Sequence, residues 1–152
     1  MVKIYKKILF ATDGSPCSEE ISKKIVEFQK EWNCKVVIFH SIKDHTFFPI
    51  VNFDKNRLLS DYRNNEDLHN ELGKRILKET GKIFERLDIP IELRLIKKEN
   101  SANYIKRIIK EEKFDLVIIC MEGYHNKSKM LFLPTDFSRV LEENSCDILI
   151  VP

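Results

Sequence analysis

KKILFATDGSPCSEE, residues 6–20, decides the architecture. An apolar run from Ile8 to Ala11 gives way to a polar turn, Thr12-Asp13-Gly14, and then to a well-marked helix start. Ser15 can cap the free amides of a first turn and Pro16 fits the first helical position. Glu19 and Glu20 suit the positive end of the helix dipole. Ile21, Ile25, Phe28 and Trp32 then recur at helical spacing. A strand that runs straight into a capped helix is the opening of a β-α-β unit.

Four more apolar runs extend the pattern. Val36 to His40 and Leu116 to Cys120 are continuous and rich in β-branched residues, as strands buried on both faces require. Ile91 to Ile96 alternates, which suits an edge strand, and Ile148 to Val151 is the last run. Between them, Leu72, Ile76, Ile83 and Leu87 trace a stripe on a charged helix expected from about Asn56 to Leu87, with Gly73 and Gly81 weakening it. Tyr104, Ile105, Ile108 and Ile109 mark a third helix capped by Asn100 or Ser101. Phe137, Val140 and Leu141 mark a fourth, with Pro134 near its start. The order β-α-β-α-β-α-β-α-β predicts an α/β fold: one open, twisted, five-stranded parallel sheet with helices on both faces, Rossmann-like. The 152 residues fit a single domain spanning 1–152. Residues 42–55, which hold Phe47, Phe48 and Phe53, form the one long irregular segment and are expected to pack against the body.

Composition narrows the function. Hydrophobic residues make up 43% and charged residues 33%, and the net charge is +2, so no general electrostatic case exists for nucleic acid or an acidic membrane. The start of the chain has no long apolar run, so a cytoplasmic location and no membrane span are expected. Cys17, Cys34, Cys120 and Cys146 contain no C-x-x-C pair, and three lie in or beside runs that read as buried. They are therefore expected to be small apolar fillers rather than zinc ligands. Only Cys17 sits near a helix start, where a thiol pKa can fall.

In such a sheet, ligands bind beyond the carboxyl ends of the strands, where strand order reverses. With the first strand central, the crevice has Ala11 to Ser15 as one wall and Met121 to His125 as the other, with Ser41-Ile42 in its floor. Lys127 and Lys129 read as a solvated basic turn, and Asp13 as either a ligand group or a carboxylate bonding turn amides. P-loop, dinucleotide and nucleophile-elbow motifs are absent. His40, His45, His69 and His125 lack metal-ligand spacing. His40 reads as a structural histidine, and His125 has no partner nucleophile, so no enzyme is expected.

KKILFATDGSPCSEE, VVIFHSIKD, FDLVIICMEG and SCDILIVP, in this order, resemble the universal stress protein family. That resemblance implies an adenine nucleotide alpha hydrolase-like fold and a stress-response role. Nucleotide-binding members carry G-x2-G-x9-G-[ST] after the fourth strand, since glycines let backbone amides approach phosphate oxygens. Here Met121, Tyr124 and Pro134 stand at the three glycine positions and only Thr135 matches. Asp13 matches the position that holds ribose hydroxyls, and Ala11 and Ser41 match positions whose backbone approaches adenine. The expectation is a stress protein that does not bind ATP and acts through protein partners, with a degenerate ATP- or AMP-binding switch as the alternative. The resemblance, together with the apolar edge from Ile148 to Val151, also implies a homodimer paired through that strand.

Overall fold

Each predicted strand forms: β1 Lys7–Ala11, β2 Lys35–Ser41, β3 Glu92–Ile96, β4 Leu116–Cys120 and β5 Asp147–Val151. Among the described residues, three helices lie between them, α1 Pro16–Trp32, α2 Glu66–Arg86 and α3 Ser101–Glu111. The computed structural model describes residues 4–43, 66–120 and 146–151. The expected fourth helix, the upstream part of the second and the Phe47-Phe48-Phe53 segment lie outside the described residues.

All four strand pairings are parallel, in the order β3-β2-β1-β4-β5. Ile8 pairs with Val36 on one side and with Leu116 on the other, so the first strand is central as expected. Successive side chains point to opposite faces, and the apolar runs therefore feed two cores. One holds Leu9, Val37, Phe39, Val117 and Ile119 under Ile105, Ile108 and Ile109 of α3. The other holds Ile8, Phe10, Ile38, Ile118 and Cys120 under Ile21 and Ile25 of α1 and Leu77 and Phe84 of α2. This two-sided burial is why β1, β2 and β4 read as unbroken apolar runs. β3 is an edge strand: none of its five residues is fully buried, and Leu93 is exposed.

The helix ends obey their local signals. Ser15 is extended (φ −73°, ψ 166°) and its side chain accepts from the Ser18 amide, while Pro16 opens the helix. Asn33 closes α1 in the left-handed region at φ 52°, its amide donating to the Gln29 carbonyl. Asn100, rather than Ser101, caps α3 by accepting from the Asn103 amide at 2.9 Å.

The face of α2 differs from the expected stripe. Its buried line is His69, Gly73, Leu77, Gly81 and Phe84, and Leu87 is exposed. The two glycines are the reason. A Cβ on Gly73 would come within 2.6 Å of Leu95 Cδ1 and 3.1 Å of Ile42 Cγ2, and one on Gly81 within 3.3 Å of Leu93 Cδ1. At both points the helix lies close against the side chains of the sheet edge, and the stripe is displaced by one residue toward them.

At the far edge of that sheet, Arg94 of β3 grips both carboxylate oxygens of Glu112 at 2.7 and 2.8 Å. It also donates to the Tyr104 hydroxyl at 3.0 Å and to Glu92. The planar guanidinium suits this forked arrangement. Its hydrogen bonds hold the Glu112 carboxyl below the ordinary range. The network fastens the edge strand to the end of α3.

Candidate functional site

The chain leaves β1 for β2 under helices on one face, and reaches β4, on the other side of β1, from α3 on the opposite face. The strand order reverses between β1 and β4, which makes the carboxyl ends of these two strands the crevice. The β1–α1 turn forms its described wall.

Hydrogen bonds hold this turn closed. Asp13 Oδ1 accepts from the Ser15 amide at 2.9 Å and from the Ser18 hydroxyl at 2.9 Å. The Asp13 amide donates back to Ser18 Oγ at 3.3 Å. Gly14 turns the chain at φ +77°, a conformation that glycine adopts without penalty, and its amide donates to Thr12 Oγ1. Thr80 of α2 gives its hydroxyl proton to the Ile76 carbonyl, so Thr12 Oγ1, 2.9 Å away, is the donor to Thr80 Oγ1. The Thr12 amide donates to the Phe39 carbonyl, and the His40 ring donates from Nδ1 to the Thr12 carbonyl at 2.7 Å.

Asp13 is 1% exposed, and its second oxygen, Oδ2, is buried with no hydrogen-bond partner among the described residues. A buried carboxylate oxygen without a donor is costly, and such atoms mark places where an added group can supply one. Ser41 is fully buried, and its hydroxyl donates to the Glu99 carbonyl at 2.5 Å. Ala11 is buried with its side chain in the α3-side core. Ala11 ends β1, Asp13 lies two residues beyond it, and Ser41 ends the neighbouring β2. Met121, Tyr124 and Thr135, together with Pro134, His125, Lys127 and Lys129, lie outside the described residues. A cleft of about 380 Å³ opens beside the turn, between the start of α1 and α2, lined in part by Gly14, Ser18, Ser22, Thr80, Ile83 and Arg86. Among the described residues, no three His, Cys, Asp or Glu side chains are grouped to hold a metal ion. No helix there is long and apolar enough to cross a membrane.

His40 has the structural role read from the sequence, and burial pushes its imidazole below the ordinary value of 6.5, against the pull of the Thr12 carbonyl and Asp13. The folded ring is therefore neutral at a pH where the unfolded ring takes up a proton. The unfolded state binds more protons, and stability falls as the pH drops below about 6.5. Urea midpoints should be lower at pH 5.5 than at pH 7.5. His40→Asn, which keeps a donor toward Thr12, should flatten that difference.

The cysteine expectation needs correction. Cys17, the second residue of α1, and Cys120, the last of β4, are joined as a disulfide, with Cα atoms 6.4 Å apart across a sequence separation of 103. Cys34 and Cys146 take no part in that bond, and Cys34 is the expected buried filler. Cys120 faces the α1 side of the sheet, where the parallel register of β1 and β4 brings it to the start of α1. Sequence spacing carries no signal of that meeting. Sequence reasoning misses Ser18 and Thr80 as well. The run Asp13-Gly14-Ser15-Pro16-Cys17-Ser18 hints at the Ser18 contact, whereas Thr80 arrives from a distant helix.

Comparisons with known proteins agree with this geometry. Residues 4–152 match the family model described as the Universal stress protein family. A universal stress protein of Methanocaldococcus jannaschii is 26% identical over 148 residues, covering 97% of this chain and 82% of that protein. A solved structure of a universal stress protein family member from Burkholderia pseudomallei superposes with a TM-score of 0.64 at 21% identity, over 100% of this chain and 99% of that one. The universal stress protein from Archaeoglobus fulgidus in complex with dAMP superposes with a TM-score of 0.63 at 14% identity, over 99% and 100% of the two chains. The two superpositions speak for the fold, and the match along nearly the whole chain speaks for descent: this chain belongs to the universal stress protein family.

Proposed function

We propose that this chain is a cytoplasmic stress-response protein that works through protein contacts as a homodimer, without binding ATP and without catalysing a reaction. The observation that carries this reading is the replacement of the three phosphate-cradle glycines by Met121, Tyr124 and Pro134. The family's glycines carry no side chain to keep backbone amides from phosphate, whereas Met and Tyr are bulky and Pro has no amide proton to donate. Asp13 supports it in part, because the residue is 1% exposed and its Oδ1 is already engaged by its own turn.

The dimer reading rests on β5. This strand pairs with β4 alone, its other edge is open among the described residues, and Leu149 stands 40% exposed on it. An apolar edge of that kind favours pairing with a second copy across a two-fold axis. Light scattering on the eluting protein should give twice the subunit mass. Leu149→Asp, which puts a charge on the exposed position, should shift it to one subunit mass with little change in monomer stability. A wild-type monomer would overturn the dimer.

A second reading is favoured by one observation, the unpartnered Oδ2 of Asp13. It stands at the position matched to ribose recognition, and the Archaeoglobus fulgidus relative carries dAMP. In that reading the adenosine half of the site survives without the phosphate half. AMP would then raise the melting temperature of the wild type and not of Asp13→Asn, which keeps the Oδ1 acceptor for the turn. The first reading expects no shift in either protein.

A further inference from the structure

We propose that Cys17 and Cys120 are a reversible thiol–disulfide site, with Cys17 as the reactive sulfur and Cys120 as the resolving one, oxidised by small-molecule disulfides and reduced by small-molecule thiols. The two cysteines differ in the ways that this chemistry needs. Cys17 is partly exposed, in the first turn of α1, where free amides and the helix dipole favour an anionic sulfur. Cys120 is 1% exposed at the end of β4, so solvent species reach it poorly while Cys17 lies against it. Their Cα separation of 6.4 Å lies within the span of a disulfide without backbone movement. The remaining cysteines lack this pairing. Cys34 is buried and its thiol is pushed up by burial, and Cys146 directs its sulfhydryl to the Asp147 carbonyl.

The exchange balances in two steps. The Cys17 thiolate attacks one sulfur of a disulfide such as oxidised glutathione, expelling one glutathione thiolate and leaving a mixed disulfide on Cys17. Cys120 then loses its proton, and its sulfur displaces the second glutathione as the Cys17–Cys120 bond forms. Two protein thiols are oxidised and one small disulfide is reduced to two thiols. Excess reduced glutathione runs both steps backward. The bond joins the helix that follows β1 to the end of β4, so it links the two strands that bound the crevice. Oxidation state is thereby recorded at the switch point of the sheet, whatever that crevice holds.

The test equilibrates the full chain in glutathione buffers from reducing to oxidising, quenches with acid, alkylates free thiols and maps peptides by mass spectrometry. The Cys17 and Cys120 peptides should become cross-linked together. Their cross-linked-to-free ratio should rise about tenfold for each tenfold rise in oxidised over squared reduced glutathione, and should return in reducing buffer. Cys120→Ala should trap one glutathione on Cys17, and Cys17→Ala should leave Cys120 unmodified, both variants being checked for native circular dichroism. The proposal is overturned if the two cysteines alkylate independently in the most oxidising buffer, or if the cross-link survives excess reduced thiol in the native protein. Failure of folded Cys120→Ala to take up glutathione at Cys17 overturns it too.

Discussion

Phe39→Ala should lower stability by about 3–5 kcal/mol, the range for deleting a buried phenylalanine. Phe39 is fully buried in the middle of β2, beside the central strand, and its ring lies 4.6 Å from that of Tyr104 in a tilted pair. It fills the space between Leu9, Val37 and the underside of α3, in a core bounded by backbone that is hydrogen-bonded on both sides. Little can collapse into the vacated volume, which puts the cost at the upper end for a core residue. For a chain of this length the melting temperature should fall by about 10–15 °C. A thermal or urea melt that places the variant within about 1 kcal/mol of the wild type would show that the α3-side core repacks around the loss, contrary to this expectation.

Reduction of the Cys17–Cys120 bond should be the next largest effect. The bond closes a loop of 103 residues, and loops of that length confine the unfolded chain strongly. Reducing it in the wild type should cost about 2–4 kcal/mol and lower the melting temperature by about 5–15 °C. Cys17→Ala/Cys120→Ala should melt near the reduced wild type and should be indifferent to reductant. A double variant that still responds to reductant would place the effect on Cys34 or Cys146 instead. An oxidised wild type no more stable than the reduced protein would show that the bond adds nothing to the fold.

The sequence makes the sheet legible because its physics is local. Val36 to Phe39 of β2 and Leu116–Cys120 advertise two-sided burial by their unbroken apolar residues, and Glu92–Ile96 advertises an edge by alternating. The caps at Ser15 and Asn100 need only three or four residues to specify themselves. What stays hidden depends on distance along the chain. Gly73 and Gly81 look like weak points of a helix until the sheet beneath them is known, and then become places where a side chain would crowd it. Thr12 meets Thr80, Ser41 meets Glu99 and Cys17 meets Cys120 only after the fold has formed. The candidate site divides in the same way. Asp13 and its turn follow from one short segment, whereas the burial that leaves Oδ2 without a partner is a property of the assembled domain.

The loss of ATP binding is the central claim, and one calorimetric titration of the purified protein with magnesium-ATP tests it most directly. A dismantled cradle predicts no saturable heat at nucleotide concentrations up to the millimolar range, for the wild type and Asp13→Ala alike. Saturable micromolar binding to the wild type, abolished in Asp13→Ala, would contradict it and would mean that a chain with Met121, Tyr124 and Pro134 still builds a triphosphate site around Asp13.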